Sequence, residues 1–149
     1  MAYLSQMHGE VFDEKATVLK NFEDAGFDTD DQVTDYLKTY GFEEELIYSP
    51  VCDLSGGEKN LLQLAKISRT GAGLLLLDEP TSHLDTYSQL ALEQAIEKYN
   101  GTVLMVSHDF YTVANCMDYV LLTEDKGLRK VSMRKFRKMI YADHFDKDY

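Results

Sequence analysis

The chain has 149 residues and a formal net charge of −11 at pH 7. This length is that of one domain, and the acidic balance argues against a nucleic-acid-binding surface over most of it. The longest purely apolar run, residues 74–77, is far shorter than the roughly 20 residues that span a bilayer. The first residues do not resemble a signal peptide, and Cys52 and Cys116 lack the spacing of metal ligands. We therefore expect a cytoplasmic protein without direct membrane insertion.

The charge is unevenly distributed. Residues 8–50 contain twelve acidic side chains and three lysines, whereas residues 126–138 contain seven basic side chains and no acid. Runs of this kind usually mark solvated faces. The basic run is also suited to contact with phosphate.

The first half of the chain predicts one strand and three helices. Residues 3–6 predict a strand that ends in a polar loop, and residues 15–25 and 31–40 predict short acidic helices. We expect Asp30 to cap the second helix and Gly41 to end it. Residues 55–58 have the Ser-x-x-Glu form of a capping box ahead of a periodic apolar run, and Gly71 ends the helix that follows.

The second half alternates strands and helices. Strands are predicted at residues 74–78, 102–106, 119–123 and 128–132. Asp85 is placed to cap a helix that runs to about Lys98, a short helix is predicted near 110–116, and a last helix has Met133, Phe136 and Ile140 on one face. Strands separated by helices predict a parallel sheet and the α/β class.

Asp78 and Glu79 follow four consecutive leucines. A carboxylate at the end of a buried strand suits Mg²⁺, which binds oxygen ligands and keeps several of its waters. The adjacent carboxylate points elsewhere and is able to orient and deprotonate an attacking water. An apolar strand that ends in two acids is a Walker B element, with Asp78 serving the metal and Glu79 the water.

Ser55, Gly56 and Gly57 open the helix that precedes this strand. The N-terminus of a helix presents unpaired N–H groups and a positive dipole end, so it binds phosphate readily. Glycine lets the backbone approach a phosphate closely. The segment therefore predicts an anion site as well as a helix cap.

Three further motifs complete the set: Ser82-His83-Leu84-Asp85, Ser107-His108-Asp109, and Gln6 after the first strand. Together the motifs resemble the nucleotide-binding domain of an ABC ATPase along the whole chain. The resemblance implies a partial P-loop NTPase fold, in which a mainly parallel sheet is flanked by helices and a small helical subdomain. It also implies ATP and Mg²⁺ as cofactors.

The resemblance assigns roles to single residues. In this family Ser55, Gly56 and Gly57 would contact the γ-phosphate of a nucleotide held by a second ABC domain, in a head-to-tail ATP sandwich. Asp85 matches the D-loop aspartate that communicates across the dimer. His108 matches the switch histidine that senses the γ-phosphate, and Gln6 matches the Q-loop glutamine that approaches metal and water. The catalytic set is then Glu79, His108 and Gln6, and the metal set is Asp78 and Gln6.

The same resemblance divides the chain into a helical subdomain at 7–53, a core at 54–125 and a C-terminal extension at 126–149. The core holds the Walker B, D-loop and switch motifs. It also holds residues 55–58, which match the signature motif of the family. No Gly-x-x-x-x-Gly-Lys-Ser/Thr segment, the Walker A loop, occurs in these residues. Since that loop supplies most phosphate contacts, we expect the isolated chain to bind nucleotide weakly and to have little or no ATPase activity.

The segments Leu54–Lys59 and Asp78–Asp85 resemble most closely the soluble ABC-F branch of the family. Its members act on ribosomes, and some protect ribosomes from antibiotics. The linker that contacts the ribosome between tandem domains of that branch has no counterpart here. Importer ATPases also read Ser-His-Leu-Asp, so an ATP-binding subunit that docks on the membrane subunit of a transporter is the alternative.

Three hypotheses remain open for the chain by itself. It is a truncated piece of an ATPase, one chain of a split ATPase whose partner brings the Walker A loop, or a binding module that no longer hydrolyses ATP. In the fold it resembles, the Walker A strand lies between strands 102–106 and 119–123. We expect that gap to be closed directly, filled by another copy, or filled by a second chain, because unpaired apolar strands are costly to expose.

Overall fold

The computed structural model describes residues 1–4 and 8–145. The chain forms two compact units, Met1–Val106 and Ser107–Tyr149. Gln6 lies outside the described residues, so its predicted role stays a prediction. The boundaries predicted at residues 53/54 and 125/126 also stay predictions.

The first unit is built on a parallel sheet of three strands, β1 (Ala2–Leu4), β2 (Leu74–Asp78) and β3 (Thr102–Val106), in that order. The α/β class and the parallel sheet are thereby confirmed. Leu4, Leu75 and Leu77 are buried on one face of the sheet. On the opposite face Tyr3 and Leu104, the lateral neighbours of Leu76, are 54% and 52% exposed.

Two helices pack together beside the sheet of this unit. Helix α3 (Gly56–Arg69) packs against β1 and against α4 (Thr86–Glu97). Its apolar side chains recur at helical spacing, and this periodicity places them in the core. The buried apolar side chains of the two helices are Leu61, Leu62, Leu64 and Ala65 of α3 and Leu92, Ala95 and Ile96 of α4.

The acidic segment before α3 differs from its prediction. It contains α1 (Asp30–Lys38) and α2 (Glu44–Ile47), but no helix over residues 15–25, where only a 3₁₀ turn at Lys20–Phe22 is present. The backbone of residues 16–19 bonds instead to residues 47–51, for example from Val18 N–H to the Ser49 carbonyl at 3.0 Å. Tertiary pairing therefore overrides the local helical pattern.

The capping of α1 is also different from the prediction. Thr29, in an extended conformation, accepts a hydrogen bond from the backbone N–H of Gln32 at 3.3 Å, so Thr29 and not Asp30 is the N-cap. Gly41 has a φ of 88° in the turn after the helix, as its predicted stop role requires. The α2 helix was not predicted.

The second unit contains α5 (Phe110–Cys116), the antiparallel hairpin β4 (Tyr119–Glu124) and β5 (Gly127–Ser132), and α6 (Met133–Phe145). Its core includes Val113, Val131 and Phe136. The rings of Phe110 and Phe136 meet edge to face, with centroids 5.9 Å apart. The predicted strands and both helices of this segment are confirmed.

Of the three outcomes expected for the gap beside β3, direct closure does not occur in the described residues. Over the described residues β3 pairs with β2 alone, and β4 pairs with β5 through a tight turn at Gly127, whose φ is 128°. A local antiparallel hairpin satisfies β4 without β3. The two outcomes that need another chain, a second copy or a separate polypeptide, stay predictions.

Within residues 1–4 and 8–145, no helix has both the length and the apolar character required to cross a membrane.

The open edge of β3 predicts self-association of the chain. Leu104→Lys places a charge on an exposed edge strand, a common device against strand pairing. We expect it to remove most of the concentration-dependent association seen by sedimentation velocity. Leu90→Lys is the matched control, because Leu90 on α4 is 51% exposed and lies outside the sheet. Equal behaviour of the two variants would contradict the prediction.

Candidate functional site

The two predicted acids lie where β2 ends. Asp78 is exposed and pairs laterally with Val106, and the backbone N–H of Glu79 extends this ladder with a 2.8 Å bond to the Val106 carbonyl. Glu79 is half-buried and has a φ of 46°, a left-handed conformation that is uncommon outside glycine. Strained backbone of this kind is concentrated at functional sites.

The turn continues to the start of α4. The backbone N–H of Ser82 bonds back to the Glu79 carbonyl at 3.1 Å, and His83 also has a positive φ of 62°. Asp85 is the N-cap of α4 and accepts hydrogen bonds from the backbone N–H of Ser88 at 2.8 Å and from its hydroxyl at 3.2 Å. The capping role predicted for Asp85 is confirmed.

The bond from the Ser88 amide is the main cause that lowers the pKa of Asp85 below its ordinary value, with the Ser88 hydroxyl adding to it. A carboxylate that accepts such bonds is favoured in its charged form. Asp85 therefore stays ionised at the N-terminus of α4, where negative charge is stabilising.

The start of α3 has the predicted capping box. The Ser55 hydroxyl accepts from the backbone N–H of Glu58, and the Glu58 carboxylate accepts from the backbone N–H of Ser55, each at 3.2 Å. Ser55 and Gly56 are exposed, and a Cβ added to Gly56 would meet nothing within 4 Å. The first turn of the helix is therefore open to a ligand.

Gly57 differs from Gly56, because neighbouring side chains of the protein fill the space that a side chain at this position would need. It is buried, and a Cβ there would lie 2.4 Å from the Ser88 Cβ and 3.3 Å from a Leu84 methyl carbon. The signature turn and the start of α4 thus approach as closely as a glycine allows. Ser88, which bonds to Asp85 and packs on Gly57, was not predicted, and nothing in the sequence singles it out.

Two buried polar side chains of α3 were also missed. The Asn60 amide donates to the Pro80 carbonyl at 3.2 Å, and the Gln63 amide donates to the Tyr3 carbonyl at 3.4 Å. Buried polar groups are normally hydrogen-bonded, and these bonds connect α3 to the turn after β2 and to the end of β1. The sequence did contain a signal for these two residues, because they are the two amide side chains within the otherwise apolar run 60–65.

His108 belongs to the second unit and is exposed. It is flanked by a local network: the Ser107 hydroxyl accepts from the Asp109 backbone N–H, and Asp109 caps α5 by accepting from Tyr111 and Thr112. The structure therefore joins Ser55, Gly57, Asp78, Glu79 and Asp85 within one unit and describes His108 in the other. The roles of all these residues in chemistry stay predictions.

No group of three or more His, Cys, Asp or Glu side chains able to hold a metal occurs among the residues that the structure describes. A single carboxylate still suits Mg²⁺, because this ion is often held by one or two carboxylates and by the phosphates of a nucleotide. Asp78 is exposed at the end of a parallel strand and is the carboxylate so placed.

A groove of about 770 Å³ lies in the first unit between α1, α2 and α4. Its lining includes Gly57 and Glu58 but none of Ser55, Asp78 and Glu79. These three residues therefore lie outside this groove; Ser55 and Asp78 are exposed, and Glu79 is half-buried. A phosphate bound there would need a second surface to enclose it.

Comparison with known proteins places the chain in a family. The family model described as "ABC transporter" matches residues 1–82. The chain belongs to this family, and its curated relatives include members of the ABC transporter F family.

Three such relatives show the extent of the match. ABC transporter F family member 5 of Arabidopsis thaliana is 40% identical over 83% of this chain and 18% of its own length. The ATP-binding protein Uup of Escherichia coli (strain K12) is 42% identical over 64% of this chain and 15% of its own length. Elongation factor 3 of Eremothecium gossypii is 39% identical over 68% of this chain and 10% of its own length. The chain thus spans about a fifth or less of these relatives.

Solved structures show the same fold. The ATP-binding cassette MJ0796, in a dimeric post-hydrolysis state bound to ADP and Pi, has a TM-score of 0.68 at 21% identity, covering 89% of this chain and 62% of that one. The cbiO1 protein of Clostridium perfringens, part of the transporter complex cbiONQ, has a TM-score of 0.71 at 20% identity, covering 98% and 64%. The predicted P-loop NTPase fold of the ABC type is thereby confirmed.

The two signature glycines predict opposite responses to alanine. Gly57→Ala forces a methyl group against Ser88, and such overpacking costs about 1–3 kcal/mol. Gly56→Ala points into open space at a helical position and should leave the free energy of unfolding unchanged or raise it by up to about 1 kcal/mol. Urea unfolding followed by circular dichroism measures both. Equal destabilisation by the two variants would show that the close approach of α3 and α4 is not present in solution.

The lowered pKa of Asp85 predicts a pH-dependent stability. Because the folded pKa lies below the unfolded one, the charged cap stabilises the fold above the unfolded pKa of about 3.9, and this contribution is lost as pH falls through the folded pKa. Asp85→Asn keeps the cap without the charge. We expect the urea midpoint of the wild type to fall relative to Asp85→Asn below about pH 4. Asp85→Ala, which lacks the cap, is the control, and a constant difference between wild type and Asp85→Asn would refute the assignment.

Proposed function

We propose that the chain is the ATP-binding and ATP-hydrolysing portion of an ABC domain in an ABC-F type protein. The observation that supports this most is one connected arrangement. The helix that begins at Ser55 is bonded through Asn60 to the turn that holds Glu79, and through Gly57 it packs on the start of α4 next to Asp85. Two surfaces suited to phosphate chemistry are thereby held by the same unit.

The first surface serves the nucleotide of the chain's own domain. Asp78 would hold Mg²⁺ together with Gln6 and the phosphates, and the bound ion would offset the negative charge that develops on them. Glu79, which has the left-handed backbone, would accept a proton from the attacking water as general base. For His108, which belongs to the second unit, a contact to the γ-phosphate is proposed from the family resemblance alone.

The second surface serves a nucleotide held by another ABC domain. The open first turn of α3 at Ser55 and Gly56 presents backbone N–H groups and the positive end of the helix dipole to a γ-phosphate. Asp85 lies beside it, where a second domain would approach. We therefore propose a head-to-tail ATP sandwich, in which each domain completes the site of the other.

The branch of the family suggests where such a domain acts. Curated relatives include proteins named elongation factor 3, which supports action on ribosomes. A cytoplasmic location and a role in antibiotic resistance are part of the same proposal and rest on the resemblance to the ABC-F branch. The structural likeness to cbiO1, part of a transporter complex, keeps a transporter ATPase as the second candidate. A split ATPase or a non-hydrolysing binding module is the third.

The test places the chain in a protein that supplies a Walker A loop, which the 149 residues do not contain. The chain replaces the homologous segment in each tandem domain of E. coli Uup, and ATP turnover is measured by phosphate release. We expect the chimera to hydrolyse ATP and the isolated chain to show little turnover. Glu79→Gln should lower turnover by about a hundredfold or more, since the amide accepts no proton, while ATP-dependent association persists.

Glu97→Gln, an exposed acid of α4, is the matched control and should leave turnover unchanged. Turnover of Glu79→Gln within about tenfold of the unmodified chimera would remove Glu79 from its role. A chimera that binds ATP but never hydrolyses it would favour the binding module.

A further inference from the structure

The solvent side of α6 is a basic surface, which we call the α6 basic face and define by Arg134, Lys135, Arg137 and Lys138. All four side chains are exposed. At 3.6 residues per turn they lie within one arc of the helix, and the exposed Tyr141 lies in the same arc. No acidic residue occurs between positions 126 and 138. The face is therefore uniformly positive over the first two turns of the helix.

The charge of this face contrasts with the rest of the chain. Residues 1–106 contain seven basic and nineteen acidic side chains, whereas residues 107–149 contain eight basic and seven acidic ones. The excess of negative charge is confined to the first unit. The second unit accumulates its positive charge on β5 and α6.

These cations do not stabilise the helix that carries them. The first turn of α6 has no acidic residue, and Arg134 and Lys135 lie at the positive end of the helix dipole. Arg134 and Lys138 are four residues apart, where like charges repel. A helix built only for stability would carry the opposite sign at this end.

Only part of the basic charge is used inside the unit. Arg137 donates to the Ala114 carbonyl near the end of α5 at 2.7 Å, Arg129 pairs with Glu124, and Lys130 lies 4.0 Å from the centre of the Tyr119 ring. Among the described residues, no carboxylate oxygen lies within 4.0 Å of the ammonium or guanidinium nitrogens of Arg134, Lys135 and Lys138. These three cations are available to an external anion.

The opposite side of α6 argues against insertion of the helix into a membrane surface. A basic amphipathic helix binds lipid by inserting its apolar side. Here Phe136 is 5% exposed and packs edge to face on Phe110, and Met133 and Ile140 are half-buried. Most of the apolar side is therefore occupied, with Met139 37% exposed, and the charged side is the larger surface offered to a partner.

We propose that the α6 basic face binds the phosphate backbone of RNA. Clustered Lys and Arg side chains on one helix face recognise a regular polyanion through charge, without reading bases. Tyr141 at the edge of the face adds a ring on which an unpaired base stacks. The choice of RNA over another polyanion rests on the proposed action on ribosomes, and the surface itself rests on the charge arrangement of α6.

The test measures binding of the full chain to a short fluorescein-labelled single-stranded RNA by fluorescence anisotropy, without nucleotide, over a series of salt concentrations. We expect binding that weakens with salt. The triple variant Arg134→Glu/Lys135→Glu/Lys138→Glu should weaken it by about tenfold or more and flatten its salt dependence, because about three phosphate contacts are lost.

The matched control is Lys15→Glu/Lys20→Glu/Lys98→Glu, which makes the same change in net charge at exposed positions of the first unit. It should retain most of the affinity. The neutral triple Arg134→Gln/Lys135→Gln/Lys138→Gln, checked for folding by circular dichroism, should also lose binding. Equal losses in both Glu triples, or no RNA binding by the wild type at low salt, would overturn the proposal.

Two further probes identify other partners. Tighter binding to polyglutamate than to RNA would overturn the proposal in favour of an acidic protein, and tighter binding to phosphatidylserine vesicles in favour of a membrane. A DNA strand of the same sequence tests the choice of RNA: equal or tighter binding to DNA would reject that choice, and weaker binding to DNA would support it. Because the assay contains no ATP, its failure leaves the hydrolysis proposal intact, and an inactive chimera leaves this one intact.

Discussion

The geometry of the first unit depends on two hydrogen bonds that attach helix α3 to the sheet and to the turn after β2. Its Asn60 amide donates to the Pro80 carbonyl and its Gln63 amide donates to the Tyr3 carbonyl, both from buried positions. Removing a buried partner leaves an unsatisfied polar group and costs about 1–3 kcal/mol. The two bonds therefore fix the position of the helix start at Ser55 relative to the end of β2, where the candidate acids lie.

This attachment leaves the candidate site on the surface. Glu79 is held in a left-handed conformation by its ladder bond to Val106, and the first turn of α3 is open at Gly56. Parallel sheets are normally covered on both faces. In this unit the face with Tyr3 and Leu104 and the outer edge of β3 are both exposed, which suits a domain that another polypeptide segment completes. The separation of acidic and basic residues between the two units adds a second kind of surface, formed by charge alone.

The sequence by itself determined the features that depend on neighbouring residues. The capping box of Ser55 and Glu58, the cap at Asp85 and the strands at 74–78 and 102–106 all follow from local hydrogen bonding or from side-chain periodicity. The motifs at Ser55 and at Asp78 and Glu79 also predicted the family and the fold that the comparisons confirm.

Only the tertiary structure decided the features that depend on distant residues. The helix predicted at 15–25 is replaced by pairing with residues 47–51, because backbone bonds across the chain outweigh a weak local propensity. The packing of Gly57 on Ser88 and the bond from Asn60 to Pro80 join positions 20 or more residues apart, so no local pattern reports them. The pairing of the strands also differs in this respect. The hairpin of β4 and β5 forms between neighbouring segments, whereas β3 pairs with the distant strand β2, and no short segment of the sequence encodes that pairing.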